Sequence, residues 1–227
     1  MEKFHFNDFF SLEKFAHREL FSEKEPVWKA LENIKPYLKQ HAHSNFTPSS
    51  FPGAYFINPH EIVIGDGTII EPGAYIKGPC IIGKGCEIRH GAYIRGNVIV
   101  GDGAVIGHTT EVKNSIILNN ARAGHFAYLG DSIIGDNVNL GAGVKCANLR
   151  LDEQAVIIKK GKEIYNTELR KLGSIIGDGS SIGCNSVLNP GTILGRSVYI
   201  WPCMVISGYI GPNSIAKPSS SPQIITV

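Results

Sequence analysis

Residues 62–82 read IVIGDGTIIEPGAYIKGPCII. An aliphatic side chain returns at every sixth position, Ile64, Ile70, Ile76 and Ile82, and a glycine follows it at Gly65 and Gly83. Period six matches neither the 3.6-residue face of a helix nor the two-residue alternation of an ordinary strand. The beat continues through Ile88, Ile94, Val100, Ile106, Val112 and Leu118, and resumes at Ile176, Ile182, Leu188, Leu194, Ile200 and Ile206. This spacing predicts a single-stranded parallel β-helix of hexapeptide repeats, an all-β fold in which each short strand sends one aliphatic residue to the axis. Glycine, Asn and Asp near the corners supply left-handed backbone conformations. One coil cannot bury its inner face alone, so stacked neighbours make the core.

The bulk composition narrows the function. Of 227 residues, 43% are hydrophobic and 19% charged, enough to bury a core and too apolar for a disordered chain. Lys and Arg number 22 against 20 Asp and Glu, which gives no electrostatic case for nucleic acid or an anionic membrane. Any basic site must be local. The start, MEKFHFNDFF, places charges where a signal peptide needs an apolar core, and no run of eighteen apolar residues occurs, so a cytoplasmic protein is expected. Cys80, Cys86, Cys146, Cys184 and Cys203 are odd in number and lack a CxxC pair, consistent with small buried hydrophobes in a reducing compartment.

Two regions flank or interrupt the repeat. Residues 1–50 are read as a helical N-terminal segment and linker: Trp28, Leu31, Ile34 and Leu38 recur at helical spacing, an amphipathic piece covers roughly 7–21, Ser22 with Glu25 resembles a capping box, and SNFTPSSFPG (44–53) has linker composition. Residues 51–227 are read as the β-helix. Its rhythm is expected to break at 121–131, ARAGHFAYLGD, and again at about 149–173, where AVII, KKGK and EIY suggest a hairpin arm projecting sideways toward an adjacent subunit. Insertions on a rigid scaffold are where function concentrates.

The run EVKN (111–114), AGHFAYLGD (123–131), NVNLGAG (137–143) and Asn148 resembles the acetyltransferase half of the bifunctional glucosamine-1-phosphate acetyltransferase and N-acetylglucosamine-1-phosphate uridylyltransferases. The stretch ANLR, the arm and RKLGSIIGDG are closer to the archaeal-type sugar-1-phosphate nucleotidylyltransferase/acetyltransferases. The resemblance implies a left-handed coil, a homotrimer with sites between neighbouring coils, and acetyl-CoA as co-substrate. The implied reaction is N-acetylation of an amino-sugar 1-phosphate, with glucosamine 1-phosphate the expected acceptor, on the way to nucleotide sugars such as UDP-N-acetylglucosamine. No metal is expected. It further implies His125 as the general base, a role that suits an imidazole titrating near working pH. The Ala142 N–H would be the oxyanion donor. Arg95, Lys113 and Lys171 would hold the phosphate, Tyr128 and Asn139 would contact the acceptor, and Asn148 and Cys184 would lie at acetyl-CoA.

Departures from the family pattern limit the transfer. Leu149 replaces a tyrosine, Cys184 replaces a serine, and Gln154 and Ile157 stand where the archaeal-type arm carries lysines. The glycine-rich nucleotide loop of the bifunctional enzymes has no counterpart in the first sixty residues, so no nucleotidyl transfer is expected of this chain alone. Two other enzyme readings stay open. One is an acceptor linked to a nucleotide; the other is a metal trimer built on His90, His108 and His125. A third reading is a non-catalytic regulatory β-helix.

Overall fold

The computed structural model describes residues 4–219. Three eight-stranded parallel sheets form the three walls of a left-handed β-helix. One wall, the tyrosine face, runs from strand Tyr55–Ile57 through Tyr75–Lys77, Tyr93–Ile94, Glu111–Lys113 and Tyr128–Gly130 to Val205–Ile206. The second, the covered face, runs from Ile62–Ile64 through Ser115–Ile117 to Tyr209–Ile210. The third, the histidine face, includes Val105–His108, Arg122–His125, Asn139–Leu140, Ser181–Ile182 and Tyr199–Ile200.

The axial column holds Ile64, Ile82 and Val100 in register on the covered face, but its next member is Ile117, not Leu118. The step from Val112 to the next inward residue is five, and it is five again from Leu129 to Ile134. These two shortened corners displace the beat without breaking the wall. Residues 121–131 therefore form no loop: Arg122–His125 and Tyr128–Gly130 are regular rungs, and Ala123 stacks on Ile106. Leu118 points outward and is sealed by other side chains.

What seals it is the N-terminal segment. On the outside of the covered face, Ile81, Ile99, Ile116, Ile133, Ile175 and Ile193 stack in one apolar column. Phe4, Phe9, Phe10, Phe15, Phe21, Trp28, Leu31 and Ile34 bury it. Each fully buried side chain of this size contributes roughly 1.5–3 kcal/mol before chain entropy is counted. Among the described residues only Ala30–His41 (α1) is α-helical; the expected amphipathic piece at 7–21 contains only two short 3-10 turns, Phe6–Asp8 and Arg18–Leu20. Ser22 accepts from the Lys24 N–H at 3.2 Å and so closes a turn of its own, while α1 starts at Lys29 without a side-chain cap. Its apolar residues, like the aromatics before it, are spaced to fit a corrugated wall.

The insertion after Asn148 also folds back. Strands Ile157–Lys160 and Glu163–Asn166 form an antiparallel hairpin, but Val156 and Ile158 are fully buried in the cluster that includes Phe4 and Trp28. The arm lies along its own coil because its inner edge is apolar, while Ile164 on its second strand stays exposed. At the other end of the stack, Asn45 pairs through its amide with the backbone of Ile64 (2.8 and 3.0 Å), and Phe46, Phe51 and Phe56 close the first coil. This plug protects an edge that would otherwise offer unpaired backbone groups.

Candidate active site

Gly107 and Gly124 hold the rungs beneath His125. A side chain on Gly107 would collide with the Gly124 carbonyl, so the strands Val105–His108 and Arg122–His125 approach as only glycine allows. His125 stands directly over His108 in register. Its ring is exposed and accepts or donates no hydrogen bond among the described residues. The His125 carbonyl accepts from the Gly143 N–H at 3.0 Å, which places Ala142 one rung away at the same corner. The Ala142 N–H has no protein acceptor among the described residues, while its carbonyl accepts from Asn185 at 2.8 Å. Next to His125, Phe126 adopts a left-handed φ of 53° and exposes 54% of its surface, a strained corner for a bulky residue.

Asn139 and Cys184 line a shallow groove of about 510 Å³ on the histidine face, with Tyr199, Trp201 and Pro202. Cys184 and Cys203 are exposed, unlike Cys80, Cys86 and Cys146; all five are free thiols. The two exposed ones sit in a corner where the side chain points out of the coil, and their small-residue context did not mark that.

A second cluster occupies the corner between the tyrosine face and the covered face. Its centre is Asp131, 5% exposed and at φ 49°. Lys113 donates to it at 3.1 Å, Asn114 at 2.8 Å and Asn148 at 2.5 Å. A side chain on Gly130 would sit 2.6 Å from both the Tyr128 hydroxyl and the Asn148 amide, so glycine keeps that space open. Burial, then the Glu111 and Asp131 carboxylates, push the Tyr128 phenol up, which keeps it protonated at neutral pH. Arg95 pairs with Glu111 at 2.6 Å and lies over the Tyr93 ring. Lys171 lines the same pocket as Asp131 and Asn114 and has no ion-pair partner among the described residues.

The expected residues thus fall into two groups. His125, Ala142, Asn139 and Cys184 belong to the histidine face and its corner; Arg95, Lys113, Tyr128, Asn148 and Lys171 belong to the tyrosine face and the next corner. The strand Tyr128–Gly130 runs from the first corner to the second, with Tyr128 at its start. Asp131 and Glu111, which hold three of the expected ligands in place, were not singled out from the sequence. The signal was there: each is a carboxylate inside a motif that otherwise supplies cations and amides. His90 and His108 stack at 5.7 Å, but their Nδ1 atoms donate to the carbonyls of Pro72 and His90. Among the described residues, no group of three or more His, Cys, Asp or Glu side chains converges, and no helix is long and apolar enough to cross a membrane.

The fold is a coil of stacked hexapeptides, and the His125 imidazole and the Ala142 N–H lie at one of its corners. The chain is 34% identical over 175 residues to an uncharacterized acetyltransferase, YaiX, of Escherichia coli, which covers 77% of this chain and 76% of that one. Residues 76–171 match the family described as the GMPPB C-terminal domain. A bifunctional sugar-1-phosphate nucleotidylyltransferase/acetyltransferase of Sulfurisphaera tokodaii is 40% identical over 101 residues, 44% of this chain. That match is 25% of the archaeal protein, so the chain spans about a quarter of the length of such relatives. A solved UDP-N-acetylglucosamine acyltransferase of Campylobacter jejuni aligns over 73% of this chain and 70% of its own, at 15% identity and a TM-score of 0.38. The chain belongs to the hexapeptide-repeat acetyltransferases. Its matched portion is homologous to the acetyltransferase domains of the GlmU-type enzymes.

Proposed function

We propose that this chain transfers an acetyl group from acetyl-CoA to the amine of an amino sugar that carries an anomeric phosphate, such as glucosamine 1-phosphate. The observation that carries the reading is the pairing of an exposed, unbonded His125 ring with the free Ala142 N–H one rung away. In the reaction the amine nitrogen bonds to the thioester carbon and its proton passes to the His125 imidazole; as the C–S bond of the tetrahedral intermediate breaks, the imidazolium returns a proton to the departing sulfur, so that CoA leaves as its thiol. The Ala142 N–H donates to the oxygen that gains charge in the tetrahedral intermediate. Arg95 and Lys113 engage the phosphate, Arg through a planar fork and Lys as a point charge, with Lys171 beside them. Tyr128 and Asn139 contact the sugar; Asn148 and Cys184 border the acetyl-CoA path. The groove with Tyr199 and Trp201 offers the apolar surface that a pantetheine arm requires.

The assembly that completes such a site is a homotrimer. The chain's own N-terminal segment covers one wall, whereas Tyr55, Tyr75, Tyr93, Ile69, Phe126 and Val205 stay exposed on the other two and their corners. Free thiols throughout fit a cytoplasmic enzyme.

A thiol-release assay with acetyl-CoA and glucosamine 1-phosphate tests the reading. His125→Ala should lower kcat by at least about 10²-fold, the usual contribution of a positioned acid–base group, with no loss of thermal stability. Unchanged turnover in that variant would remove His125 from the chemistry.

A further inference from the structure

A cavity of about 820 Å³ lies between the C-terminal half of α1 and the corner that joins the tyrosine and covered faces. Its lining includes Lys35 and Lys39 from α1, His43 after it, and His60, Glu61 and Asn97 from the coil. Lys35 and Asn97 also line the 310 Å³ pocket that holds Asp131 and Lys171. The two spaces share these residues side by side along the corner, and the smaller one contains Lys171 and Asp131 of the cluster assigned above to the sugar phosphate; together they are called the cleft. Resting on that assignment, we propose that the cleft binds the nucleoside diphosphate part of the acceptor, so that the substrate is a nucleotide-linked amino sugar.

Charge is the first support. Outside the cluster already assigned to the phosphate, in which Glu111 and Asp131 orient Arg95 and Lys113, two cations near this corner have carboxylate partners: Lys29 pairs with Glu32 and Arg170 with Glu153. Lys35, Lys39 and Lys171 have no carboxylate partner among the described residues. Lys35 and Lys39 are four residues apart on one helix, a like-charge pair whose members repel each other. A bound diphosphate relieves that repulsion, and Lys171 lines the smaller pocket together with Lys35.

Dimensions and lining are the second. Asn97, Asn114 and Asp131 occupy the same corner on successive rungs, all with left-handed φ between 46° and 51°. Two rungs span roughly 10 Å at ordinary inter-strand spacing, which suits a diphosphate and its ribose. Beyond Asn97 the walls turn apolar, with Leu38, Ala42 and Pro79, and the His43 and His60 side chains stand at the same end. That combination fits a planar base. The Glu61 carboxylate, without a hydrogen-bond partner among the described residues, is placed to accept from ribose hydroxyls. The cavity volume falls within the 300–1,000 Å³ typical of small-molecule sites.

Titration calorimetry on the full chain tests the assignment with uridine, thymidine and guanosine diphosphates as probes and inorganic pyrophosphate as the reference. At least one nucleoside diphosphate should bind ten times more tightly than pyrophosphate, and the double variant Lys35→Gln/Lys39→Gln should weaken it tenfold or more. Both lysines are exposed, so the fold should tolerate the change. With UDP-glucosamine and its counterparts as acceptors, the double variant should lose kcat/KM while kcat stays within twofold. Nucleoside diphosphates that bind no better than pyrophosphate, or that bind the double variant equally well, would overturn the proposal. Acetylation of neither a sugar phosphate nor a nucleotide sugar by the wild type, with diphosphate binding intact and lysine-dependent, would instead overturn the acetyl-transfer reading and leave the cleft as a nucleotide site.

Discussion

Lys113 Nζ stands 3.1 Å from a carboxylate oxygen of Asp131, and Asp131 is all but sealed from solvent. Asn114 and Asn148 donate to the same carboxylate, so one buried anion fixes three side chains drawn from different rungs. Removing it leaves a partly buried ammonium and two amides without their acceptor. Asp131→Ala should therefore cost about 2–3 kcal/mol in urea denaturation, toward the low side for a broken buried pair because Lys113 keeps partial contact with water. Asp131→Asn, which tolerates the left-handed backbone, should cost less. KM for the phosphate-bearing acceptor should rise in both. An Asp131→Ala loss under 1 kcal/mol would show that the carboxylate does not hold this corner together.

Gly107 tests the other corner. Any side chain there meets the Gly124 backbone, and the two glycines underlie His108 and His125. Gly107→Ala should destabilise the protein by roughly 1–3 kcal/mol through overpacking. It should also lower acetyl transfer by shifting His125, whereas Gly85→Ala, where an added Cβ meets nothing within 4 Å, carries only backbone strain and should leave activity intact. Denaturation and thiol release measured on both variants separate the effects.

The coil itself was legible because its signal is local. One aliphatic residue in six, with glycine or asparagine at the turn, names the architecture before any contact is known. The register past Val112 was not legible, since a corner shortened by one residue moves Ile117 inward and Leu118 outward without changing composition. The apolar column Ile81, Ile99 and Ile116 repeats only once per coil, so it escapes a six-residue search, yet it predicts a cover. For the same reason the N-terminal segment looked like a helical preface when most of it is irregular chain shaped to a wall. Among the candidate site residues, His125, Lys113 and Tyr128 are nominated by a recognisable motif. Asp131 and Glu111 lie inside the same motifs, but their role, holding neighbours that only folding supplies, is visible only in the structure.

The cover should behave as part of the core. Phe10 is 1% exposed and meets Phe9 and Phe21 in tilted and edge contacts at 6.0 and 5.8 Å. Phe10→Ala should cost about 3–5 kcal/mol, the range for a truncated aromatic core residue, as measured by chemical denaturation. Removal of residues 1–42 should expose the isoleucine column and yield a protein that aggregates or binds a hydrophobic dye. A soluble, dye-negative truncation would mean that the column is satisfied in some other way.

Asp178 clips that cover to the coil, and it should set a pH dependence. Its carboxylate accepts from the Ser11 N–H at 2.7 Å and from the Asp136 N–H at 2.8 Å. Burial outweighs these bonds and raises its pKa above the ordinary 3.8. With the folded value above the unfolded one, the folded state holds the proton more tightly. The stabilisation from this group is then complete below the ordinary carboxylate range and is lost as pH rises through the elevated folded pKa. Asp178→Asn removes that titration. The stability of the variant relative to wild type should therefore improve as pH is raised from below 3.8 toward neutrality, even if the amide forfeits one of the two backbone bonds. Urea denaturation of both proteins at matched ionic strength reads the difference directly, and a gap that stays constant across that window would show that Asp178 titrates alike in the folded and unfolded chains.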